Sequence, residues 1–323
     1  MDRIGVRQAV GVGLRATTIA TDASDRLYVA GLLSGCADLG SAATPLSVCA
    51  RTANAGFRSA LAEDPESDPH LLFVNRYARD GAYTGTQLFQ GHPLGTLAIS
   101  PSGNMAFAAI WEDKRPLRLK TPLGVRMTVG GAKGGDFKAF LLLYSTDGKV
   151  LAKHEFDSQW FARVADVAFD SHDVLWFLLI SSGGRPLVDG SSSPPATVGS
   201  RQEAKTCRDR LALWSMGPSG QLRERWSACT QVKEEAPSVA LAISRDDRLA
   251  VANLSGMAFA ALRSGRAGLP PSPYWLALLT RGGEIGAAVP RSTRAVALLP
   301  GNRACYDDGP SIVCRVIDDE EQR

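Results

Sequence analysis

One hairpin recurs five times along the chain, and that recurrence limits the fold more than any other feature. It reads ATTIATDASDRLYVAG at 16–31, GTLAISPSGNMAFAAIW at 95–111, ADVAFDSHDVLWFLLI at 165–180, VALAISRDDRLAVANL at 239–254 and RAVALLPGNRACYDDG at 294–309. Each copy is an apolar run containing alanine, a polar turn of Asp, Ser, Gly or Asn, and a second apolar run. The anchoring alanines are Ala20, Ala98, Ala168, Ala242 and Ala297. Two apolar runs on either side of such a turn form a β-hairpin.

A second hairpin alternates with the first. Its copies are LLFVNRYARDGAYTG (71–85), AFLLLYSTDGKVLAK (139–153), LALWSMGPSGQLRER (211–225) and YWLALLTRGGEIGAA (274–288), with turn glycines Gly81, Gly148, Gly220 and Gly283. Glycine accepts the positive φ that tight hairpin turns require. The period is therefore two hairpins, or four antiparallel strands, here named A, B, C and D. The anchors lie 78, 70, 74 and 55 residues apart, more than the roughly 40–50 residues of a compact propeller blade. The excess falls almost wholly between B and C. No long amphipathic helix is legible.

A four-stranded antiparallel sheet repeated along a chain predicts an all-β fold, a β-propeller. The fifth unit has A (294–299), B (303–307) and C (311–317) but no D, while RIGVRQAV (3–10) precedes the first strand A. The expectation is one propeller domain over 1–323, with five blades closed by that N-terminal strand. If the chain is a fragment, the ring has six or seven.

In such blades the A–B and C–D turns share one face, and the B–C and D–A connections share the other. The long B–C inserts, roughly 34–70, 113–137, 182–205 and 256–272, all leave from the second face. Long loops on a rigid scaffold are where binding concentrates. The cysteines fall into pairs by strand register. Cys36 and Cys49 share the first insert, Cys207 and Cys229 flank the third C–D hairpin, and Cys305 and Cys314 face each other across the DDGPS turn. Three disulfides are expected, and with them a secreted, periplasmic or cell-surface location whose signal segment is not within these residues. No CxxC spacing supports a thiolate zinc site.

The hairpins resemble bacterial SBBP-type β-propeller repeats, with propellers of the NHL and lactonase type as neighbours in pattern. The resemblance rests on IATDASDRLYVAG (19–31), and on GDFKAFLLLYSTDGKVLAKHEF followed by ADVAFDSHDVLWFLLI. It covers about half the chain and implies fold rather than activity. Lactonase-type propellers hold a metal at the channel with several acidic and amide side chains. Here the positions two residues before the anchors are Thr18, Thr96, Asp166, Ala240 and Ala295, with a single carboxylate among them.

The remaining features narrow the function. The 323 residues carry 36 basic and 33 acidic side chains, a net charge of +3, which gives no electrostatic footprint for nucleic acid or an anionic membrane. No apolar run approaches the length of a membrane span. VGGAKGGDFK (129–138) leads into a strand, not the helix a phosphate loop needs, and SSGGRPLVDGSSSPPATVGS (181–200) reads as a flexible loop. No G-x-S-x-G elbow occurs. His70, His92, His154 and His172 are expected at the surface or in loops. The acidic turn residues Asp22, Asp25, Asp170, Asp173, Asp246 and Asp247 suit turn chemistry.

The expected function is binding of a protein or carbohydrate by a monomer without a cofactor, through the insert face and channel mouth. The candidate residues are Thr18, Thr96, Asp166, Arg294, Trp160 and Trp226. The alternative is a metal-dependent hydrolase or lactonase holding a divalent cation such as calcium, with Asp166 as ligand.

Overall fold

The computed structural model describes residues 9–40, 45–49, 71–92, 95–111, 116–129, 138–158, 160–182, 187–188, 207–230, 239–262, 274–280, 285–293, 296–299, 303–308 and 311–317. Five antiparallel sheets follow one another along the chain. The first has β1 (Ala9–Thr21), β2 (Leu27–Asp38), β4 (Leu71–Tyr77) and β5 (Tyr83–Gln90) in that order, with β3 (Ser47–Cys49) beside β2. The second has β6 (Gly95–Ile99), β7 (Met105–Trp111), β10 (Lys138–Tyr144) and β11 (Val150–Asp157). The third has β12 (Phe161–Phe169), β13 (Leu175–Ser182), β15 (Asp209–Met216) and β16 (Leu222–Thr230). The fourth has β17 (Ala240–Ile243), β18 (Leu249–Ser255), β19 (Tyr274–Leu279) and β20 (Ile285–Val289). The fifth has β21 (Val296–Leu299), β22 (Arg303–Asp308) and β23 (Ser311–Val316). The A–B–C–D order holds in four sheets, and the fifth stops at three strands among the described residues.

The separate strand expected at 3–10 needs correction at its end. Ala9 and Val10 belong to β1, opposite Ala37 and Cys36 of β2, and residues 3–8 lie outside the described residues. By contact, the chain divides into two compact units, 1–133 with 140–155 and 134–139 with 156–323.

The A–B turns share one hydrogen-bond pattern. Asp22 N–H donates to the Arg26 carbonyl (3.1 Å) and Asp25 N–H to the Asp22 carbonyl (3.1 Å). Ser100 and Gly103, Asp170 and Asp173, and Ser244 and Asp247 repeat it. The fourth turn residue always has positive φ: 58° at Asp25, 86° at Gly103, 59° at Asp173 and 61° at Asp247. Aspartate tolerates this because its short side chain bonds locally. The C–D turns close in the same way around Gly81, Gly148 and Gly220; Gly283 lies outside the described residues.

Strands B and C are buried along nearly their whole length, as in LLFVNRY of β4, KAFLLLY of β10 and LWFLLISS of β13. A strand covered on both faces reads as a continuous apolar run. Strand D is only partly covered, with one or two buried residues in each of β5, β11 and β16 and the rest half-buried or exposed. Burying a Leu or Phe side chain is worth about 1.5–3 kcal/mol, so the B and C strands hold most of the core.

The described parts of the inserts follow a rule not visible in the sequence. Those of the second, third and fourth sheets lie against the last strand of the preceding sheet, whereas β3 of the first insert pairs with β2 of its own sheet. The hairpin of β8 (Leu117–Lys120) and β9 (Arg126–Val129) joins β5 through Gln90 and Lys120. The short β14 (Leu187–Val188) pairs with Phe156 and Asp157 of β11. The helix α1 (Gly256–Leu262) packs on β16, its start capped by Ser255, whose Oγ accepts from Ala258 N–H at 3.2 Å. An unpaired sheet edge invites strand pairing, and covering it removes that hazard.

Candidate functional site

The insert-bearing end of the third sheet brings together an exposed indole, an arginine and a disulfide. Register aligns Phe161, Ser182, Asp209 and Thr230 in one row. The Ser182 hydroxyl donates to the Asp209 carboxylate. The Cys207–Cys229 disulfide closes this end, with Cα atoms 5.4 Å apart. The chain enters β12 through a tight bend in which Ser158 Oγ accepts from Phe161 N–H at 3.0 Å. Trp160 sits on that bend. Its N–H donates to the Ser182 carbonyl at 3.3 Å, and its indole is 49% exposed. The Arg208 guanidinium lies 5.6 Å from the ring centroid, a cation–π contact worth about 0.5–1 kcal/mol at an exposed site. Among the described tryptophans, Trp160 alone is exposed.

The other expected residues have different placements. Thr18 Oγ1 donates to the Leu97 carbonyl of β6 at 2.8 Å. Asp166 Oδ2 accepts from Leu241 N–H of β17 at 2.7 Å, and its Oδ1 accepts from Val167 N–H at 2.9 Å. Both residues sit at a bulge in their strand A, and both reach the same point of the next strand A, one residue before the anchor. They are corresponding straps between successive strands A. Thr96 is half-buried in β6, opposite Ala108. Trp226, expected to reach the insert face, is core: it is 6% exposed and packs with Trp176, Leu213 and Trp275. The alternation of strand D turns it inward. Arg294 lies outside the described residues. Sequence reasoning also passed over Arg163 of β12, whose Nε is buried without a hydrogen-bond partner; burial pulls its guanidinium below the usual arginine range.

A second cluster joins the A–B turns of the third and fourth sheets. Ser171 N–H donates to Asp247 Oδ1 at 2.6 Å, and Ser171 Oγ–H to Asp247 Oδ2 at 2.8 Å. His172 Nδ1 is 2.9 Å from Asp247 Oδ2 and 2.9 Å from Ser171 Oγ. Behind them, Asp170 Oδ1 accepts from the N–H groups of His172 and Val174, and Oδ2 from Trp176 Nε1–H at 3.1 Å. A Ser–His–Asp relay uses the two imidazole nitrogens for different partners. Here both contacts fall on Nδ1, so the triangle is not a relay. Reading placed His172 in a polar turn but gave no sign of Asp247, 75 positions away in sequence.

His92, expected at the surface or in a loop, is a loop residue that is completely buried. Its Nδ1 is 3.1 Å from the Gln90 carbonyl and its Nε2 2.8 Å from Tyr144 Oη. A carbonyl only accepts, so Nδ1 carries the proton and Nε2 accepts from Tyr144 O–H. Burial lowers its pKa to about 4, against the bond to Gln90, which raises it.

Cys305 and Cys314 pair as expected, directly opposite in β22 and β23. Cys36 is disulfide-bonded and stands opposite Cys49 in register; the side chain of Cys49 is outside the described atoms.

The fold and these sites define an all-β protein of repeated four-stranded antiparallel sheets with disulfides. No described helix is long and apolar enough to cross a membrane. No family model matches the chain, and no curated protein matches it. Among solved structures it is similar to an unknown-function protein from Dyadobacter fermentans, at 13% identity and a TM-score of 0.42, covering 95% of this chain and 80% of that one. It is also similar to Hadza microbial sialidase Hz136, at 10% identity and a TM-score of 0.32, covering 91% of this chain and 62% of that one. Likeness this distant carries no argument about activity.

Proposed function

We propose that the chain is an extracytoplasmic β-propeller of five blades, the fifth completed by the N-terminal segment, that binds a protein or carbohydrate partner. The binding surface is the insert-bearing end of the sheets. The observation that carries this reading is Trp160, an exposed indole held under Arg208 beside the Cys207–Cys229 disulfide. An aromatic ring presented on a rigid support with an arginine is the composition of binding hot spots. Its C–H-compatible face suits a sugar ring, and the guanidinium supplies fixed donors.

The propeller reading is supported by the repeated strand order, by B and C strands buried on both faces, and by the straps at Thr18 and Asp166. The extracytoplasmic reading is supported by disulfides at Cys207–Cys229 and Cys305–Cys314, which persist where the surroundings are oxidising.

An array of neutral and acidic glycans probed with labelled protein tests the site. The wild-type chain is expected to bind a subset, and Trp160→Ala to lose at least tenfold in signal with an unchanged melting temperature. Equal binding by both proteins contradicts the assignment.

A further inference from the structure

We propose that Ser171, His172 and Asp247, backed by Asp170, form a binding site for one divalent transition-metal ion of the zinc class. The proposal is independent of the Trp160 surface.

The geometry comes first. Ser171 Oγ, His172 Nδ1 and Asp247 Oδ2 make a nearly equilateral triangle with edges of 2.9, 2.9 and 2.8 Å. Tetrahedral ligands about 2.1 Å from one ion lie about 3.4 Å from one another, so the three donors spread by roughly 0.5 Å to take it. Donor atoms of Asp170, His172 and Asp247 also lie within 4.8 Å of one another. Tetrahedral ligands of one such ion lie about 3.4 Å apart, so Asp170 joins as a fourth donor after a shift of up to about 1.4 Å.

The donor types select the metal. Calcium takes six to eight oxygen ligands. One imidazole nitrogen with carboxylate and hydroxyl oxygens suits zinc and its neighbours.

The cluster is pre-organised and open on one side. Asp170 and Asp247 are 2% and 9% exposed, while the His172 side chain is 59% exposed. Ser171 N–H fixes Asp247 through Oδ1, leaving Oδ2 to face the other donors. Fixed outer hydrogen bonds of this kind orient metal ligands. The ion replaces the hydrogen bonds along the triangle. Without metal, Nδ1 faces the Asp247 carboxylate, which only accepts, so Nδ1 carries a proton. The ion takes the Nδ1 lone pair as that proton passes to solvent, and the ring that binds the metal is protonated on Nε2 alone.

The fold does not demand these side chains. The corresponding turns of the first and second sheets are joined through a backbone bond, Ala23 N–H donating to the Pro101 carbonyl at 2.8 Å. There the places of Ser171, His172 and Asp247 are held by Ala23, Ser24 and Gly103. The same joint has been built once without donors and once with three.

The test uses the untagged, disulfide-intact full chain, freed of metal by chelator and dialysis. No free cysteine is present among the described residues, so thiolate binding does not obscure the readout. Zinc is titrated by calorimetry and cobalt(II) by visible absorbance. The expected result is one ion per chain and a cobalt spectrum of four-coordinate nitrogen–oxygen type. His172→Gln, an exposed substitution that leaves the carboxylates in place, is expected to weaken zinc binding at least tenfold with no change in the metal-free melting temperature. Asp247→Asn is expected to weaken zinc binding as well. No saturable binding, or binding that survives His172→Gln, overturns the proposal.

Discussion

Asp22 and Asp170 perform one task in two turns. Each opens an A–B turn, accepts two backbone N–H groups, and reaches an aromatic side chain on strand B, Tyr28 O–H at 2.9 Å or Trp176 Nε1–H at 3.1 Å. Burial alone raises the Asp22 carboxyl. The bonds from the Arg26 backbone and guanidinium, Tyr28 and Ser24 outweigh it and hold the group below the usual carboxylate range. Replacing Asp170 with Ala leaves these donors unpaired, including a buried indole N–H, at about 1–3 kcal/mol for each buried group. Urea denaturation is expected to show a loss of at least about 2 kcal/mol. His92 gives a pH signature. Its folded pKa is lowered to about 4 from 6.5, so its contribution is complete above pH 6.5 and is lost as the pH falls toward 4. The difference amounts to about 3 kcal/mol. Urea midpoints measured between pH 7.5 and 4 should fall steeply in the wild type and less steeply in His92→Gln. Two turn glycines form a further control. Both Gly81 and Gly148 have φ of 85°, but a Cβ at Gly81 meets nothing within 4 Å, whereas at Gly148 it comes within 2.9 Å of Pro122. Gly81→Ala is expected to cost about 1 kcal/mol from backbone strain. Gly148→Ala should cost at least about 1 kcal/mol more.

Between elements, successive strands A are tied by side-chain bonds at corresponding positions. Thr18 and Asp166 each cross from one strand A to the next, at the same position of the repeat. Asp166→Ala removes the acceptor of Leu241 N–H at 2.7 Å, a loss of about 1–3 kcal/mol. Hydrogen exchange should locate the effect, with faster exchange at Leu241 and no change in the fifth sheet. Protection at Leu241 equal to wild type would refute the strap. This is the scale at which the sequence stops being legible. The hairpins are readable because their signals are local: apolar runs, and turns with Gly or Asp where φ is positive. The straps and the Ser171–His172–Asp247 cluster join residues some 75–80 positions apart, and no local pattern marks them. The insert elements were missed for a related reason. LRLK and RMTV of β8 and β9 are too short to show a period, and they are ordered by the edge of β5 rather than by their own sequence. Trp226 was misjudged because nearness to a D–A connection says nothing of which face of strand D a residue occupies.

For the whole molecule, the account rests on a repeated four-stranded unit whose register brings cysteines together in sequence-local pairs. Two of the three expected pairs have their partners in place, Cys207 with Cys229 and Cys305 with Cys314. The third has Cys36 bonded and opposite Cys49 in register. Crossed pairings would require another sheet order, and free thiols another compartment. The measurement that bears most directly on this is an intact mass of the native chain under non-reducing conditions, followed by peptide mapping without reduction. The account predicts a mass about six hydrogens below that of the reduced chain, with peptides linked as Cys36–Cys49, Cys207–Cys229 and Cys305–Cys314. Free thiols in the native protein, or any link between these pairs, would contradict it.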